Sequence, residues 1–171
     1  MAERERRPAT VDEAKALAHP LRLRILRLCG QQELTNKQLA ERLGRDPGTV
    51  LYHVRQLAAA GFLEPGEVRT GASGALEKPY RSTGISWWLD GPPADTGANT
   101  APLEAFQEEL REAGPESVRT YARFALHLSP EDVAELDRRI SAVLDEYVAT
   151  EDERRHLPLH GGIVVVHRLK E

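Results

Sequence analysis

Residues 35–60, TNKQLAERLGRDPGTVLYHVRQLAAA, contain two helix-start patterns separated by a few residues. Thr35 and Gln38 match a capping box, and Gly44 is typical of the residue that follows a helix end. The Asp-Pro pair that comes next predicts the start of a second helix over residues 47–60. The stretch therefore predicts two short helices joined by a tight turn.

The second of these helices has an apolar face and a polar face. Val50, Val54 and Leu57 recur at helical spacing, so they define the face that packs on the rest of the domain. Two short helices joined by a tight turn suggest a helix-turn-helix, whose second helix can enter the major groove of DNA. Arg55 is then the first candidate for a contact with a DNA base, because its planar guanidinium matches the two acceptor atoms of guanine. Arg45, before the helix, is expected to contact a phosphate. All the side chains outside the packed face can bond to bases or touch a thymine methyl group; they are Thr49, Leu51, Tyr52, Arg55 and Gln56.

Two interpretations of Gly48 stay open, because glycine is a poor helix former and yet occupies the first turn of this helix. Without a side chain, the backbone N–H groups at the helix start can approach a DNA phosphate closely. Alternatively, the glycine is merely tolerated next to a helix cap. Lys37 and Gln38 of the preceding helix are further candidate DNA contacts.

The flanking sequence predicts two earlier helices and a β-hairpin. Thr10 with Glu13 starts a first helix, and a second extends from residue 20 to residue 30. Residues 62–70 and 75–83 have the pattern of two strands joined by a glycine-rich tip. Three cations of the hairpin are expected to neutralise phosphates beside a DNA groove, with a solvated surface as the alternative; they are Arg69, Lys78 and Arg81.

Four linked segments resemble, in order and spacing, the winged-helix domain of ArsR-type bacterial transcriptional regulators: ALAHPLRLRIL, LTNKQLAERLG, DPGTVLYHVRQLAAAGFL and EKPYRST. The resemblance covers residues 10–90. It implies a homodimeric repressor or activator that binds double-stranded DNA at a palindromic operator through helix 47–60, with His53 in a structural role. Metal-sensing members carry a Cys-x-Cys pair or paired His and acidic ligands, which this chain lacks, so no metal and no cofactor are expected. A winged-helix module that binds protein instead of DNA, or a metal-responsive sensor, are the alternatives.

The C-terminal half has a different organisation. Residues 91–102 predict a linker, because Gly, Pro, Asn, Asp and Thr dominate them. In residues 103–171 an apolar helical stripe is followed by an alternating strand at 121–129, a helix that starts at Ser129, and a β-branched strand at 161–169. The sequence therefore predicts an α+β protein, in which an N-terminal winged helix-turn-helix precedes a small strand-helix-strand region.

The region 103–171 is expected to serve dimerisation, and its binding of a small-molecule or protein effector stays an open alternative. Leu103, Phe106 and Leu110 form the preferred dimer helix. Trp87 and Trp88, just past the hairpin, are large apolar groups. We expect them in the core or in a subunit interface, with an effector pocket as the alternative.

Charge and composition narrow the function further. In residues 1–90, 14 Lys and Arg against 11 Asp and Glu give +3, while 9 against 16 give −7 in residues 91–171, and the chain sums to −4. No motif of an enzyme active site is present. Without a long apolar run or a signal peptide, a cytoplasmic protein with no membrane contact is expected. Residues 1–9 are predicted to be a flexible tail, or alternatively a DNA-contacting arm, and Cys29 a buried structural residue.

Overall fold

The structure, a computed structural model, describes residues 6–71, 74–90 and 100–170. The chain divides into two compact units, residues 1–115 and 116–171. Most of the predicted linker, positions 91–99, lies outside the described residues.

The helices of the first unit start where local caps predict them. In its described part they are α1 (Val11–Leu17), α2 (Pro20–Gln31), α3 (Asn36–Leu43), α4 (Pro47–Ala59) and α5 (Ala101–Ala113). Thr10 and Thr35 form complete capping boxes with Glu13 and Gln38, as predicted. After α3, Gly44 has a φ of 59°, a left-handed conformation that favours glycine and allows the sharp turn into α4.

Short strands surround the helices. In the described residues they are β1 (Arg7–Pro8), β2 (Leu34–Thr35), β3 (Leu63–Pro65), β4 (Arg69–Thr70), β5 (Leu76–Glu77), β6 (Pro79–Ser82) and β7 (Leu89–Asp90). β6 is the centre of an antiparallel sheet in the order β2-β6-β3, and β4 pairs with β5 towards the hairpin tip. The predicted hairpin is therefore present, and we call its residues 62–83 the wing.

Two strand pairings were not predicted. β2 adds a third strand to the wing, and β1 pairs in parallel with β7, with Arg7 opposite Leu89. Residues 7 and 8, expected in a flexible tail, are thus held in a strand, and Arg7 also forms an ion pair with Glu13 at 2.6 Å. Strands of two residues show no periodicity in a sequence, so this part of the prediction was wrong.

One apolar core joins α1 to α4 with the base of the wing. Val50, Val54 and Leu57 of α4 are fully buried in it, together with Ile25 of α2. Cys29 is also buried, as predicted, and burial raises the pKa of its thiol to about 12. Burial of four such side chains contributes on the order of 6–12 kcal/mol relative to exposure, which fixes the orientation of α4 on the domain.

α5 packs on α2 largely through charge. Arg24 of α2 is 3% exposed and pairs with Glu108 at 2.8 Å and with Glu112 at 2.5 Å. Next to it, Arg27 pairs with Glu109 at 2.5 Å. Arg24 and Arg27 of α2 therefore hold an acidic helix.

The second unit consists of one long helix and irregular segments. α6 (Pro130–Ala149) begins at a capping box formed by Ser129 and Asp132, as predicted, and α7 (Glu151–Arg154) follows it. The strands predicted at 121–129 and 161–169 are absent from this described part of the chain. Their alternating and β-branched patterns need a partner strand for the backbone hydrogen bonds, and none lies beside them here. The α+β class is confirmed, but the strand-helix-strand arrangement was wrong.

Candidate nucleic-acid interface

α4 presents a row of polar side chains on the face opposite the core. Tyr52 is 58% exposed, and Thr49, Arg55 and Gln56 are exposed beside it, while Leu51 is half-buried at the edge. Arg55 forms no hydrogen bond or ion pair with any other described residue, so its guanidinium is available to a ligand. The predicted division of α4 into a packed face and an outward face is thus the one that the structure has.

The first turn of α4 explains why residue 48 is glycine. The Asp46 carboxylate caps the helix by accepting a hydrogen bond from the Thr49 backbone N–H at 2.9 Å. A Cβ on Gly48 would lie 3.0 Å from the same Asp46 carboxylate oxygen, a contact tighter than side chains normally make. Gly48 therefore leaves room for the capping carboxylate, a reason that neither interpretation of the sequence included.

The turn between α3 and α4 is fastened by one side chain that the sequence analysis did not single out. Asn36 Nδ2 donates a hydrogen bond to the Pro47 carbonyl at 2.9 Å and so ties the start of α3 to the start of α4. Gln38 uses its side-chain oxygen to accept from the Thr35 backbone N–H at 2.9 Å, which occupies part of its hydrogen-bonding capacity. Lys37 of α3 and Arg45 of the turn are both exposed.

Two imidazole rings, one buried and one half-buried, lie under the outward face of α4. The ring centroids of His53 and His19 are 4.3 Å apart, and His53 is buried. Burial lowers the pKa of His53 to about 4, with the charges of His19 and Arg22 acting in the same direction. Burial likewise lowers the pKa of His19. Burial thus favours the neutral form of both rings, which adds no charge to the outward face.

The cations of the wing are paired with carboxylates across the hairpin. Arg81 Nε lies 2.9 Å from Glu64 Oε1, and Arg69 Nε lies 3.8 Å from Glu77 Oε2. In each pair the two residues are directly opposite on neighbouring strands. Lys78 places its Nζ 5.8 Å from the centroid of the Tyr80 ring.

The charge balance of the wing follows from its sequence. Residues 62–83 hold three cations and three glutamates, a balance of zero. The phosphate contacts expected of Arg69, Lys78 and Arg81 rested on the cations alone. The wing is instead neutral, and the two carboxylates that pair with its arginines are part of the surface.

The residues expected in a dimer or effector region lie in two places. Trp87 and Trp88 form a short 3-10 helix with Ile85 after the wing and are half-buried, and the Arg6 guanidinium stacks on the Trp87 ring at 5.0 Å. On α5, Leu103 and Leu110 are exposed and Phe106 is half-buried; the face that packs on α2 carries Ala101, Ala105 and the glutamates. The apolar stripe of α5 is thus left on the surface of a single chain.

Two properties of the described residues bear on other functions. No group of three or more His, Cys, Asp or Glu side chains within them is arranged to hold a metal ion. None of their helices is long and apolar enough to cross a membrane.

Residues 17–65 match the family model described as "Helix-turn-helix domain". This match covers α2 to α4 and the first strand of the wing, so the chain contains a winged helix-turn-helix domain, as the sequence predicted. Helix-turn-helix domains are typical of DNA-binding regulators. No curated protein matches the chain significantly.

Several solved structures are similar to the chain at low identity. The winged helix-turn-helix domain of Mb0332 from Mycobacterium bovis, titled a possible ArsR-family regulator, is 24% identical, covers 63% of this chain and 82% of its own, with a TM-score of 0.35. A ZitR mutant from Lactococcus lactis is 16% identical and covers 76% of this chain and 83% of its own, with a TM-score of 0.35. The adhesin competence repressor AdcR from Streptococcus pyogenes is 15% identical and covers 74% of this chain and 77% of its own, with a TM-score of 0.36. Since every TM-score is below 0.5, the assignment of the domain rests on the family model.

Proposed function

We propose that this winged helix-turn-helix transcription regulator binds a palindromic DNA operator as a homodimer, with α4 as the recognition helix in the major groove. The observation that carries the proposal is the outward face of α4. It combines an unpaired arginine with hydroxyl, phenol and amide groups on a helix whose other face is fully buried. A rigid helix with such a face suits the major groove, which admits one helix and displays a distinct donor and acceptor pattern for each base pair.

Within this proposal, the side chains divide by the DNA groups that they contact. Arg55 donates to a guanine, while Thr49, Leu51, Tyr52 and Gln56 contact neighbouring bases or the sugar-phosphate backbone. Arg45 and Lys37 lie beside the helix start and are assigned to phosphates. The Gly48 backbone N–H is assigned to a phosphate as well, because the Thr49 and Val50 N–H groups are already bonded to Asp46.

The homodimer is needed because one recognition helix contacts too few base pairs for useful selectivity. We assign the dimer contact of this first unit to the α5 stripe of Leu103, Phe106 and Leu110. Its exposure in a single chain supports the assignment, because apolar groups at such spacing are typical of a packed helix face. Trp87 and Trp88 extend the half-buried apolar surface of this unit.

The α5 assignment is tested with the double variant Leu103→Glu, Leu110→Glu. It is expected to weaken binding to a full palindromic operator and to leave binding to a half-site unchanged. The substitution of two exposed side chains preserves the core, which circular dichroism checks. Unchanged affinity for the full operator would contradict the assignment.

The base contacts are tested by a mobility-shift titration against DNA upstream of the protein's own gene and against random DNA, at several salt concentrations. Arg55→Ala is expected to lower specific affinity roughly 5- to 150-fold, equivalent to about 1–3 kcal/mol, with a smaller effect on random DNA. Arg168→Ala removes the same charge from the second unit and serves as the matched control. Equal affinity of the unaltered protein for both DNAs at moderate salt would refute operator binding.

The second candidate function is a winged-helix module that binds a protein. The neutral charge of the wing favours it, since a wing that contacts phosphates is expected to be basic. The unpaired cations around α4 favour DNA. A regulator of either kind can respond to a small-molecule or protein effector at residues 103–171, and a ligand-dependent change in DNA affinity is the measurement that tests this response.

A further inference from the structure

A cleft in the first unit opens between α2, α5 and the turn that leads into α4. Its volume is about 430 Å³, and its walls include Gly44 and Arg45 of the turn and Arg111 of α5. The recognition helix begins at Pro47, two residues after Arg45. The cleft therefore adjoins the part of the molecule that the proposed function places on DNA.

Two of the arginines in this cleft are free to bind a ligand. Arg45 and Arg111 are both exposed, and neither guanidinium forms a hydrogen bond or ion pair with another residue in the described part of the chain. By contrast, Arg22, Arg24 and Arg27 of α2 all donate to carbonyl or carboxylate oxygens. Two like charges without a carboxylate partner in one cleft favour an anion between them.

Arg111 is unpaired because a carboxylate one turn away on α5 is bound by α2. Glu108 precedes Arg111 by three residues, a spacing at which glutamate and arginine commonly pair on a helix. Glu108 instead accepts a hydrogen bond from Arg24 Nη1 at 2.8 Å, and Glu112 pairs with Arg24 Nη2 at 2.5 Å. The ion pairs that hold α5 on α2 thus leave Arg111 available.

The charges that line the cleft favour an anion over a cation. Three arginines against two glutamates give a balance of +1. Arg24 already shares its single positive charge with both glutamates, so the positive excess lies at Arg45 and Arg111. Each guanidinium presents its N–H donors in one plane, a geometry that matches the oxygens of a phosphate group.

We propose that this cleft binds a phosphate group through Arg45 and Arg111, and that Arg111 is a phosphate contact outside the helix-turn-helix. The proposal rests on the proposed function where the phosphate belongs to operator DNA, whose backbone Arg45 is assigned to contact. A phosphorylated small molecule carries the same group and would compete with DNA for Arg45. Arg111 lies about 100° around α5 from Leu110, so it is beside the apolar stripe assigned to the dimer and not within it.

The DNA backbone as the source of the phosphate is tested by the salt dependence of operator binding. Arg111→Ala in the full chain is expected to make the slope of log K against log salt concentration shallower by about 0.9. The ratio of specific to random affinity should stay unchanged, because phosphate contacts carry no sequence information. Arg111→Lys keeps the charge and should keep the slope. Arg168→Ala removes the same charge from the second unit and is the matched control.

Inorganic phosphate tests the second source of the group without DNA. Phosphate in place of chloride at equal ionic strength stabilises proteins in general, so the measurement is the excess rise in melting temperature of the unaltered protein over Arg111→Ala. Such an excess identifies a free phosphate as a ligand of the cleft, whereas a changed salt slope without it identifies the DNA backbone. Equal slopes for Arg111→Ala and Arg168→Ala, together with no excess, overturn the proposal.

The two measurements separate this proposal from the proposed function. Arg111 is exposed, so its replacement preserves the core, which circular dichroism checks. Operator binding by the unaltered protein with both readouts negative removes only the phosphate site in the cleft. Absence of operator binding contradicts the proposed function, and the phosphate titration then decides the cleft alone.

Discussion

Replacement of Glu64 by Gln is expected to make DNA binding more dependent on salt. Glu64 Oε1 lies 2.9 Å from Arg81 Nε across the wing, and both side chains are about half exposed. A cation that is paired with a carboxylate neutralises less phosphate charge, so the neutral amide leaves the whole charge of Arg81 to the DNA. The same reasoning applies to Glu77→Gln, which leaves Arg69 unpaired at a site where the two atoms are 3.8 Å apart.

The size of the change in salt dependence follows from the number of phosphates that the freed arginines neutralise. Each phosphate that a protein neutralises adds about 0.9 to the negative slope of log K against log salt concentration. One glutamate replaced is thus expected to steepen the slope by about 0.9, and both together by about 1.8. Between 50 and 200 mM salt, one such contact changes affinity about 3.5-fold. Stability changes little, because exposed ion pairs contribute about 0–1 kcal/mol.

Fluorescence anisotropy with labelled operator DNA at four or more salt concentrations measures these slopes. Glu67→Gln removes the same charge from the same hairpin, and Glu67 has no ion pair with another described residue, so it is the matched control. A slope for Glu64→Gln equal to that of Glu67→Gln would falsify the reasoning, since the pairing with Arg81 would then have no effect on DNA.

Three further predictions concern the fold that supports α4. The free energy of unfolding should fall by up to about 1.4 kcal/mol per pH unit as the pH is lowered from about 6.5 towards 4. The reason is the lowered pKa of His53, because the unfolded chain then binds a proton at a higher pH than the folded chain does. Denaturant titrations should show a flatter decline for His53→Gln. Gly48→Ala should not stabilise the unaltered protein, because its Cβ would crowd the Asp46 carboxylate. In an Asp46→Ala variant the same substitution should stabilise the protein by about 1 kcal/mol. Additive effects in this double-mutant cycle would contradict the crowding between the two side chains. Arg24→Met should cost about 2 kcal/mol and the half-exposed Arg27→Met less than about 1, and equal losses in urea unfolding would count against the buried pair.

The parts of the fold that the sequence predicted depend on local rules. Helix caps involve residues three apart, so Thr10 with Glu13, and Ser129 with Asp132, were visible without a structure. The faces of α4 were visible for the same reason, since helical spacing alone separates Val50 and Val54 from Arg55.

The parts that were missed depend on contacts distant in sequence. The buried Arg24 pairs with Glu112 across two helices, and neither residue carries a local sign of its partner. The pairing of Glu64 with Arg81 could be predicted only if the register of the two wing strands were known. The turn fixes that register, and the sequence leaves it ambiguous. The strands expected at 121–129 and 161–169 failed because a strand pattern shows what a segment can do with a partner, and one chain supplies none.

The distribution of paired charge explains how a chain of net charge −4 can present a cationic surface to DNA. In the first unit, the arginines away from α3 and α4 are largely engaged: Arg24 and Arg27 with the glutamates of α5, and Arg69 and Arg81 with the glutamates of the wing. Lys37 on α3, Arg45 in the turn and Arg55 on α4 form no ion pair with any other described residue. The helix-turn-helix thus keeps three cations without a carboxylate partner, while four arginines elsewhere in the first unit are neutralised, so we expect the attraction to phosphate to be strongest beside α4. Reversal of charge at the wing should therefore alter the salt slope, while sequence preference should follow the side chains of α4 alone.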